Sequence, residues 1–396
     1  EGLVIPFGNK TIISTAILTL SSGNLFLGPT VTITNEGEIT ISEDIDDDGE
    51  ITPKWINSDN STLNIGGSLL ANGILDASAI NNTVNYSGTI AQDVKPPLTS
   101  YYNLYSSGTA IKSLISNLTV EGDIDIRGSS TLDVTTSNYS INLGGSMTVS
   151  VGSVFQPRNG TVTLNGISDQ TITGVSSYYD LVLSKASGSV NLGSDLTVSE
   201  TLTMAGGNID AGAQTLTLGT AAVAGSEGTL SHSEGTIIGK FQRYILNPGG
   251  TVLFPVGTVT AYRPTNITFN SNTAGSLIVE FIAADPGLRN LPLIDGTANV
   301  EDRFTEGYWN YTAANGFTST SYDIELVAQD FTSKQVNTNT RVLKSDNDGN
   351  YYFDGIHAAA TPPSVYRNNL TTSIISTGTG TQFVLGFVCT PATITE

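Results

Sequence analysis

The residues best suited to chemistry are acidic, and the densest group lies near the start of the chain. It runs Asp44-Ile45-Asp46-Asp47-Asp48-Gly49-Glu50. This Asp-x-Asp-x-Asp-Gly spacing matches the first half of an EF-hand-like calcium loop, in which the glycine permits a sharp turn. The twelfth position, where a bidentate Glu belongs, is Trp55, so the motif is incomplete. Two interpretations follow: a solvated acidic turn, or a structural Ca²⁺ site whose ligands are Asp44, Asp46, Asp48 and Glu50.

A second acidic run, Asp346-Asn347-Asp348-Gly349-Asn350, has Asp354 downstream. The first ligand position of a calcium loop would fall on Lys344, which is a poor ligand for a cation. The pattern favours a hairpin turn over a second calcium site.

Acidic, basic and aromatic residues in the repetitive part of the chain could contact sugars. Asp123, Asp125 and Arg127 alternate, so all three point to one side of one strand. They are the best carbohydrate-site candidate, and the alternative is a solvated strand face. Tyr102 and Tyr179 belong to Tyr-Tyr pairs at equivalent positions of a repeat, which favours packing at a corner over stacking on a sugar.

Catalysis has little support in the sequence. The chain has two histidines, His232 and His357, and neither lies in a nucleophile-elbow pattern or a His/Cys cluster suited to zinc. We therefore expect no enzyme activity. The alternative is a carbohydrate-active β-helix enzyme, a polysaccharide lyase or glycosidase, which would need paired carboxylates or a calcium cluster with a base.

The overall charge restricts the partners. Sixteen Lys and Arg against 36 Asp and Glu give a net charge of −20, which disfavours nucleic acid and anionic lipid. Only 13% of residues are charged. The sequence contains no apolar stretch of about 18 residues, so we expect no membrane insertion. The single cysteine, Cys389, rules out an intramolecular disulfide. This composition is compatible with divalent cations, with surface glycans and with an extracellular location.

The strongest organisational signal is an internal duplication. Four separate segments recur at a shift of about 78 residues, a period typical of several stacked coils. They are Gly66-Gly67-Ser68 as Gly144-Gly145-Ser146, Gly88 with Gln92 as Gly166 with Gln170, Tyr101-Tyr102-Asn103-Leu104 as Tyr178-Tyr179-Asp180-Leu181, and Asn117-Leu118-Thr119-Val120 as Asp195-Leu196-Thr197-Val198. The duplicated units span about 61–138 and 139–214.

Within each unit, apolar and polar residues alternate in short runs such as Thr161-Val162-Thr163-Leu164, and glycine-rich breaks separate the runs. This pattern predicts a parallel β-solenoid over residues 1–235, with coils of roughly 20–25 residues and three or four coils per unit. A β-sandwich is the alternative. Denser aromatic and basic residues and longer strand-like runs predict an antiparallel β-sandwich-like domain over 236–388. Residues 389–396 are expected to form a linker or tail.

The repeat resembles a known family. Gly166 to Gly174, Tyr178 to Leu183 and Leu192 to Val198 are similar to repeats of large secreted cell-surface proteins and adhesins of Bacteroidetes-type bacteria. The segments Gly239 to Tyr244 and Phe254 to Pro264 resemble the β module that often follows those repeats. The resemblance covers about 61–388, and it implies export to the cell surface and a polypeptide longer than this chain.

Together these features predict an extracellular, cell-surface structural or adhesive protein, either a stiff stalk segment or a fibre subunit. Two alternatives to this role remain: the carbohydrate-active enzyme described above, and a glycan-binding module without catalysis. Residues 1–14 include the apolar run Leu3-Val4-Ile5, which could associate with another copy of the chain end to end or by strand addition.

Overall fold

The computed structural model describes residues 2–47, 49, 53–377 and 380–388. Within these residues every regular element is a β-strand. In the same residues, no helix is long and apolar enough to cross a membrane. The prediction of an all-β fold, with a parallel β-solenoid followed by an antiparallel sandwich-like region, is confirmed.

The strands follow one another closely along the chain. The first part contains β1 Leu3–Ile5, β2 Asn9–Ile12, β3 Ile17–Leu20, β4 Leu25–Leu27, β5 Thr32–Asn35, β6 Glu38–Ile41, β7 Ile45–Asp47, β8 Lys54–Asn57, β9 Thr62–Ile65, β10 Ile74–Asp76, β11 Thr83–Tyr86, β12 Gln92–Val94, β13 Asn103–Ser106, β14 Ile111–Leu114, β15 Leu118–Val120, β16 Ile124–Ile126, β17 Thr131–Asp133, β18 Ile141–Leu143, β19 Met147–Val149, β20 Val154–Gln156, β21 Thr161–Leu164, β22 Gln170–Thr173, β23 Ser177–Leu183 and β24 Ser189–Leu192. The rest contains β25 Leu196–Met204, β26 Asn208–Leu218, β27 Thr229–His232, β28 Ile237–Ile245, β29 Gly250–Phe254, β30 Thr265–Asn272, β31 Gly275–Ile282, β32 Leu293–Asp295, β33 Ala298–Arg303, β34 Tyr308–Ala314, β35 Ser319–Val327, β36 Arg341–Ser345, β37 Tyr351–Tyr352, β38 Ile356–Thr361, β39 Ser364–Leu370 and β40 Thr381–Val388.

The chain forms two compact units. Unit 1 comprises Glu1–Leu196 with Thr203–Gly207, and unit 2 comprises Thr197–Leu202 with Asn208–Glu396. The boundary predicted at residue 235 stays a prediction. In unit 2, β26 and β28 still pair in parallel, and the antiparallel strands begin after them.

Unit 1 is a solenoid with three faces, each a stack of parallel strands from successive turns. The first face contains β1-β4-β7 and β12-β14-β17-β20, and the second contains β2-β5-β8-β10 and β15-β18-β21-β23. The third face runs without a break through β3-β6-β9-β11-β13-β16-β19-β22-β24. Leu3 pairs with Leu25 and Leu25 with Ile45, so the turns here have the length predicted from the sequence.

The interior of unit 1 consists of apolar columns that run from turn to turn. On the third face one inward position pairs in register through buried Ile39, Leu63, Val84, Leu104, Ile124, Met147 and Ile172. Because neighbouring residues of a strand point to opposite faces, the alternation seen in the sequence places these side chains inward and their polar neighbours outward. One turn cannot enclose such a column alone, so the turns are stable only when stacked.

Buried amides complete the interior where strands end. Asn35, Asn57 and Asn82 are inaccessible to solvent. Nδ2 of Asn35 donates to Oδ1 of Asn57 (3.1 Å), and Nδ2 of Asn57 donates to Oδ1 of Asn82 (3.4 Å). Trp55 donates from Nε1 to the same Asn57 oxygen at 2.9 Å. These bonds join three successive turns and satisfy amides that would be costly to bury unpaired.

The duplicated glutamines occupy equivalent environments. Nε2 of Gln92 donates to the carbonyls of Ile65 (3.0 Å) and Gly67 (2.6 Å), and its Oε1 accepts the N–H of Gly88 (2.9 Å). Gln170 makes the same three bonds with Leu143, Gly145 and Gly166, at 3.0, 2.5 and 3.1 Å. Both glycines are required by close approach, because a Cβ would lie 2.1 Å from the Gly66 carbonyl oxygen at Gly88 and 1.9 Å from that of Gly144 at Gly166.

The duplication does not match a whole number of turns. Gln92 starts β12 on the first face, and three register steps lead from it through Lys112 and Leu132 to Phe155 in β20. Gln170 starts β22, two strands beyond β20 and on the third face. The shift between the two duplicated units therefore corresponds to three complete turns plus two strands of the next turn. For this reason the two equivalent glutamines lie on different faces.

Two lysines extend this hydrogen-bonding pattern inside unit 1. Nζ of Lys112, which is inaccessible to solvent, donates to the carbonyl of Gly88 at 2.7 Å. Nζ of Lys185 donates to the carbonyl of Gly166 at 2.7 Å and to Oε1 of Gln170 at 2.7 Å. Burial disfavours the charged ammonium and lowers the pKa of Lys112 to about 8.

We expect this burial to make stability depend on pH in the alkaline range. Between pH 8 and 10 the unfolded chain keeps the proton on Lys112 that the folded chain releases, so the free energy of unfolding rises with pH. One pKa unit corresponds to about 1.4 kcal/mol, so a rise on the order of 2 kcal/mol is expected below pH 10, where tyrosines start to ionise. Guanidinium unfolding at several pH values measures the slope.

Lys112→Met should reduce the slope, to which Lys185 and Lys344 also contribute because burial lowers their pKa values. The same change at exposed Lys10 is the control for the loss of a surface lysine. An unchanged slope in Lys112→Met would show that the lysine does not titrate in this window.

Unit 2 contains two antiparallel sheets. The first extends from β28 through β31 and β34 to β40, and the second has the order β29-β30-β35-β39-β38. Aromatic rings fill the space between them: Phe254 of the second sheet lies 6.4 Å from Tyr311 of the first, which lies 5.0 Å from Phe383. A hydrogen bond of 2.5 Å between the hydroxyls of Thr265 and Tyr311 also joins the sheets.

Candidate functional site

The charged residues of the predicted carbohydrate site, Asp123, Asp125 and Arg127, lie in or next to strand β16 of the third face. Ile124 and Ile126 of β16 point into the core, and Asp125 between them points outward and is half-buried. Oδ2 of Asp125 lies 3.2 Å from a guanidinium nitrogen of Arg127. Oδ1 of Asp123 accepts the N–H of Ser146 at 2.7 Å, so this carboxylate joins two successive turns. The structure thus brings Asp125 and Arg127 together, while Asp123 is hydrogen-bonded to the backbone beside them.

Sequence reasoning missed Tyr105, which completes this cluster. Tyr105 pairs in register with Asp125 from the preceding turn, and its ring lies 4.9 Å below the guanidinium of Arg127. A cation held over a tyrosine ring gains electrostatic attraction and keeps the ring in place. The only sequence signal for this contact is the number of residues between Tyr105 and Asp125. That number indicates neighbouring strands only when the length of the local turn is known.

Two groups of this cluster, the Asp125 carboxyl and the Tyr105 hydroxyl, have pKa values above their ordinary values. Burial raises the pKa of Asp125, and Asp123 adds to the rise while Arg127 opposes it. Burial also raises the pKa of Tyr105, again with repulsion from Asp123 and Asp125. A flat ring, a carboxylate and a guanidinium on one open face can contact a sugar ring and its hydroxyls.

The two tyrosine pairs divide into a buried and a half-buried member. Tyr101 is inaccessible, and its hydroxyl lies 2.9 Å from that of Tyr86. Tyr178 is also inaccessible, and its hydroxyl contacts the sulfur of Met147 at 3.3 Å. Tyr102 and Tyr179 are each half-buried. The packing role expected for the pairs therefore falls to the first tyrosine of each, and sugar contact by the second stays a prediction.

The predicted calcium ligands fall partly outside the described residues, since Asp48 and Glu50 are not among them. Asp44 and Asp46 flank the inward-facing Ile45, which begins β7. Oδ1 of Asp44 accepts the N–H of Ser68 at 2.7 Å, and Oδ1 of Asp46 accepts that of Asp47 at 2.9 Å. Among the residues that the structure describes, no group of three or more His, Cys, Asp or Glu could hold a metal. The calcium site stays a prediction.

Asp47, which the calcium motif did not single out, also joins two successive turns. Its Oδ2 accepts the N–H groups of Asn72 (2.7 Å) and Gly73 (2.8 Å) in the next turn. Burial acts to raise the pKa of Asp47, but these hydrogen bonds outweigh it and lower the pKa. The acidic run therefore contributes to contacts between turns.

The second acidic run forms the expected hairpin turn. Oδ1 of Asp346 accepts the N–H groups of Asp348 (3.0 Å) and Asn350 (2.7 Å), in the loop that joins β36 to β37. Asp354, considered as a further ligand, instead lies 3.0 Å from Nζ of Lys344 in the interior of unit 2.

The two histidines both lie in packed surroundings. His232 stacks on Tyr262 with ring centroids 5.3 Å apart, and its Nε2 lies 2.8 Å from the Gly235 carbonyl. Nε2 of His357 lies 2.9 Å from a guanidinium nitrogen of Arg341. Burial, followed by repulsion from Arg341, lowers the pKa of His357.

Comparison of the chain with known proteins does not assign it to a family. No family model, no curated protein and no solved structure matches the chain, and the resemblance to surface proteins of Bacteroidetes-type bacteria stays a prediction.

Proposed function

We propose that this chain is an extracellular, cell-surface structural and adhesive protein without catalytic activity, in which unit 1 acts as a stiff spacer. The observation that carries the proposal is the unbroken third face, where apolar residues pair in register over turn after turn. Each turn adds about 4.8 Å of length and touches only its neighbours, so the length of such an element can be set by the number of repeats.

The outward side of the third face supports a spacer because its polar groups bond to one another. Nδ2 of Asn85 donates to Oδ1 of Asn64 at 2.9 Å, and Nδ2 of Asn64 donates to Oγ1 of Thr40 at 3.2 Å. These side chains tie adjacent turns together on the outside as the buried amides do inside. Such a surface needs few charged residues, which agrees with the low charged fraction of the chain.

Self-association through residues 1–14, by end-to-end or strand addition, is part of this proposal. Leu3, Val4 and Phe7 leave 46, 59 and 72% of their surface exposed. Strand β1 pairs on one side with β4. Exposed apolar side chains on a strand are the features that strand addition from another molecule uses.

Labelling of intact cells tests the proposed location and role. An antibody against the chain should bind unpermeabilised cells, and electron microscopy should place the label on stalks or fibres. Label that appears only after permeabilisation would overturn the proposed location. Release of sugars by the purified chain from a panel of polysaccharides would overturn its non-catalytic character.

A second candidate function is non-catalytic binding of surface glycans at the cluster of Tyr105, Asp125 and Arg127. It is favoured by the ring, carboxylate and guanidinium meeting on one open strand face. Saturable sugar binding that Asp125→Ala abolishes would support it, and binding that survives this change would exclude the cluster.

A further inference from the structure

The first sheet of unit 2 carries a groove of about 450 Å³ on its outer side. On the inner side Phe241, Trp309 and Tyr311 are buried in the aromatic core. The residues that alternate with them, among them Lys240 and Asn310, point the other way and line the groove. The groove is therefore separate from the sandwich interior.

Polar residues from adjacent strands form one row across this groove. Glu280 of β31 pairs in register with Asn310 of β34, and Asn310 pairs with Gln382 of β40. Residues directly opposed on antiparallel strands have Cβ atoms about 4.5–5.5 Å apart. Nδ2 of Asn310 donates to Oε1 of Glu280 at 3.3 Å, so the carboxylate is positioned by its neighbour.

Lys240 and Glu280 line the same groove and form no ion pair with each other. In the part of the chain that the structure describes, the side-chain ammonium of Lys240 forms no hydrogen bond and no ion pair, although its backbone pairs with Thr215. An ammonium offers three donors and a carboxylate only acceptors. A ligand hydroxyl can accept from the one and donate to the other, so the pair suits a polyhydroxylated molecule.

The amide of Gln382 is held in a fixed orientation. Arg289 donates to its Oε1, and the same guanidinium lies 4.5 Å from the ring centroid of Tyr351 and donates to the Gly349 carbonyl at 2.5 Å. This leaves the Nε2 end of Gln382 as the donor at the groove. Groups held in place before binding lose little entropy when a ligand arrives.

Tyr308 adds a flat apolar surface to the row. It is half-buried, lines the groove and pairs in register with Ile282. The face of an aromatic ring can pack against the C–H face of a sugar, while hydroxyls at the sugar's edge reach polar groups nearby.

We propose that this groove binds a neutral oligosaccharide, with Lys240, Glu280, Asn310 and Gln382 bonding to its hydroxyls and Tyr308 packing against one ring. One cation balances one anion at the row, and the net charge of −20 on the chain repels anionic glycans. The inference goes beyond the proposed spacer role and does not depend on it.

A glycan array probed with the full chain, followed by calorimetric titration of the best neutral oligosaccharide, tests this proposal. Tyr308→Ala and Glu280→Gln should each weaken binding at least about tenfold, which is about 1.4 kcal/mol. Tyr366→Ala provides the matched control, because Tyr366 is a half-buried tyrosine on β39 of the other sheet. Unfolding curves for each variant separate lost binding from lost folding.

Several outcomes would overturn the proposal. They are binding only to acidic glycans or peptides, no binding to any neutral glycan, and equal loss in Tyr366→Ala. Binding that Asp125→Ala abolishes and Tyr308→Ala spares would place the ligand on unit 1 instead. Because cell labelling tests the spacer role separately, failure of one proposal does not decide the other.

Discussion

Replacing Asp354 with alanine should destabilise unit 2 by about 3–5 kcal/mol, the range for removing one partner of a buried ion pair. The side chains of Lys344 and Asp354 are only 2% and 5% exposed, and Nζ lies 3.0 Å from Oδ2. Without the Asp354 carboxylate, the Lys344 ammonium would stay buried. It would keep its hydrogen bond to the Tyr322 hydroxyl (2.8 Å) but would have no anion to balance its charge. The N–H groups of Thr371 and Thr372 would also lose their acceptors.

A double variant separates the buried charge from lost packing. Lys344→Met combined with Asp354→Ala removes both charges, so it should cost much less than Asp354→Ala alone. Asp76→Ala is the matched control, because its pair with Lys54 is 23% and 33% exposed and should contribute about 1 kcal/mol or less. Equal costs for Asp354→Ala and Asp76→Ala would contradict the expectation.

The two tryptophans allow unfolding to be followed in each unit. Trp55 lies in unit 1 and Trp309 in unit 2, and both are inaccessible to solvent. Denaturant unfolding in a Trp55→Phe background reports on unit 2 through Trp309 alone. The Asp354→Ala effect should appear in that signal.

The same ion pair predicts how unit 2 responds to acid. Burial acts to raise the pKa of Asp354, but hydrogen bonds from Thr371 and Thr372 and the charge of Lys344 outweigh it and lower the pKa. The stabilisation is therefore complete above the unfolded value near 4 and is lost as pH falls through the lower folded value.

Gln92→Ala and Gln170→Ala should each destabilise unit 1 by about 3 kcal/mol, and the two losses should be similar. Each change leaves one buried N–H and two carbonyls without their partner, and an unsatisfied buried group costs about 1–3 kcal/mol. The losses should be of similar size because these three bonds are the same although the two glutamines lie on different faces. Lys185, which also donates to Oε1 of Gln170, keeps its bonds to the Gly166 and Ser168 carbonyls when that oxygen is removed.

Gln156→Ala is the control for this pair, since Gln156 is half-buried at the end of β20. It should change the free energy of unfolding by less than about 0.5 kcal/mol. Trp55 fluorescence during denaturant unfolding in a Trp309→Phe background gives the measurement. If one glutamine costs several times more than the other, the two units are not energetically equivalent.

The parts of the candidate site that depend on neighbouring residues could be predicted from the sequence. The parts that depend on contacts between residues far apart in the sequence could not. The alternation of Asp125 with the apolar Ile124 and Ile126 indicated that its side chain points outward, because side-chain direction depends only on neighbouring residues. Tyr105 was missed because its contact with Arg127 depends on the length of one particular turn. The groove residues Lys240, Glu280 and Gln382 lie far apart in the sequence and meet only through strand pairing.

The sequence by itself determined the local features of this protein: the period-two strands, the glycine corners, the duplicated unit, the hairpin at Asp346 and the change to an aromatic-rich region. These depend on interactions between residues close together in the chain, or on comparing one stretch of it with another. Only the tertiary structure decided which strands are neighbours, that the duplication ends two strands beyond a whole turn, and that Lys112 and Lys344 are buried. The physical reason is that register between turns is set by the summed lengths of strands and corners, and these lengths vary from one turn to the next.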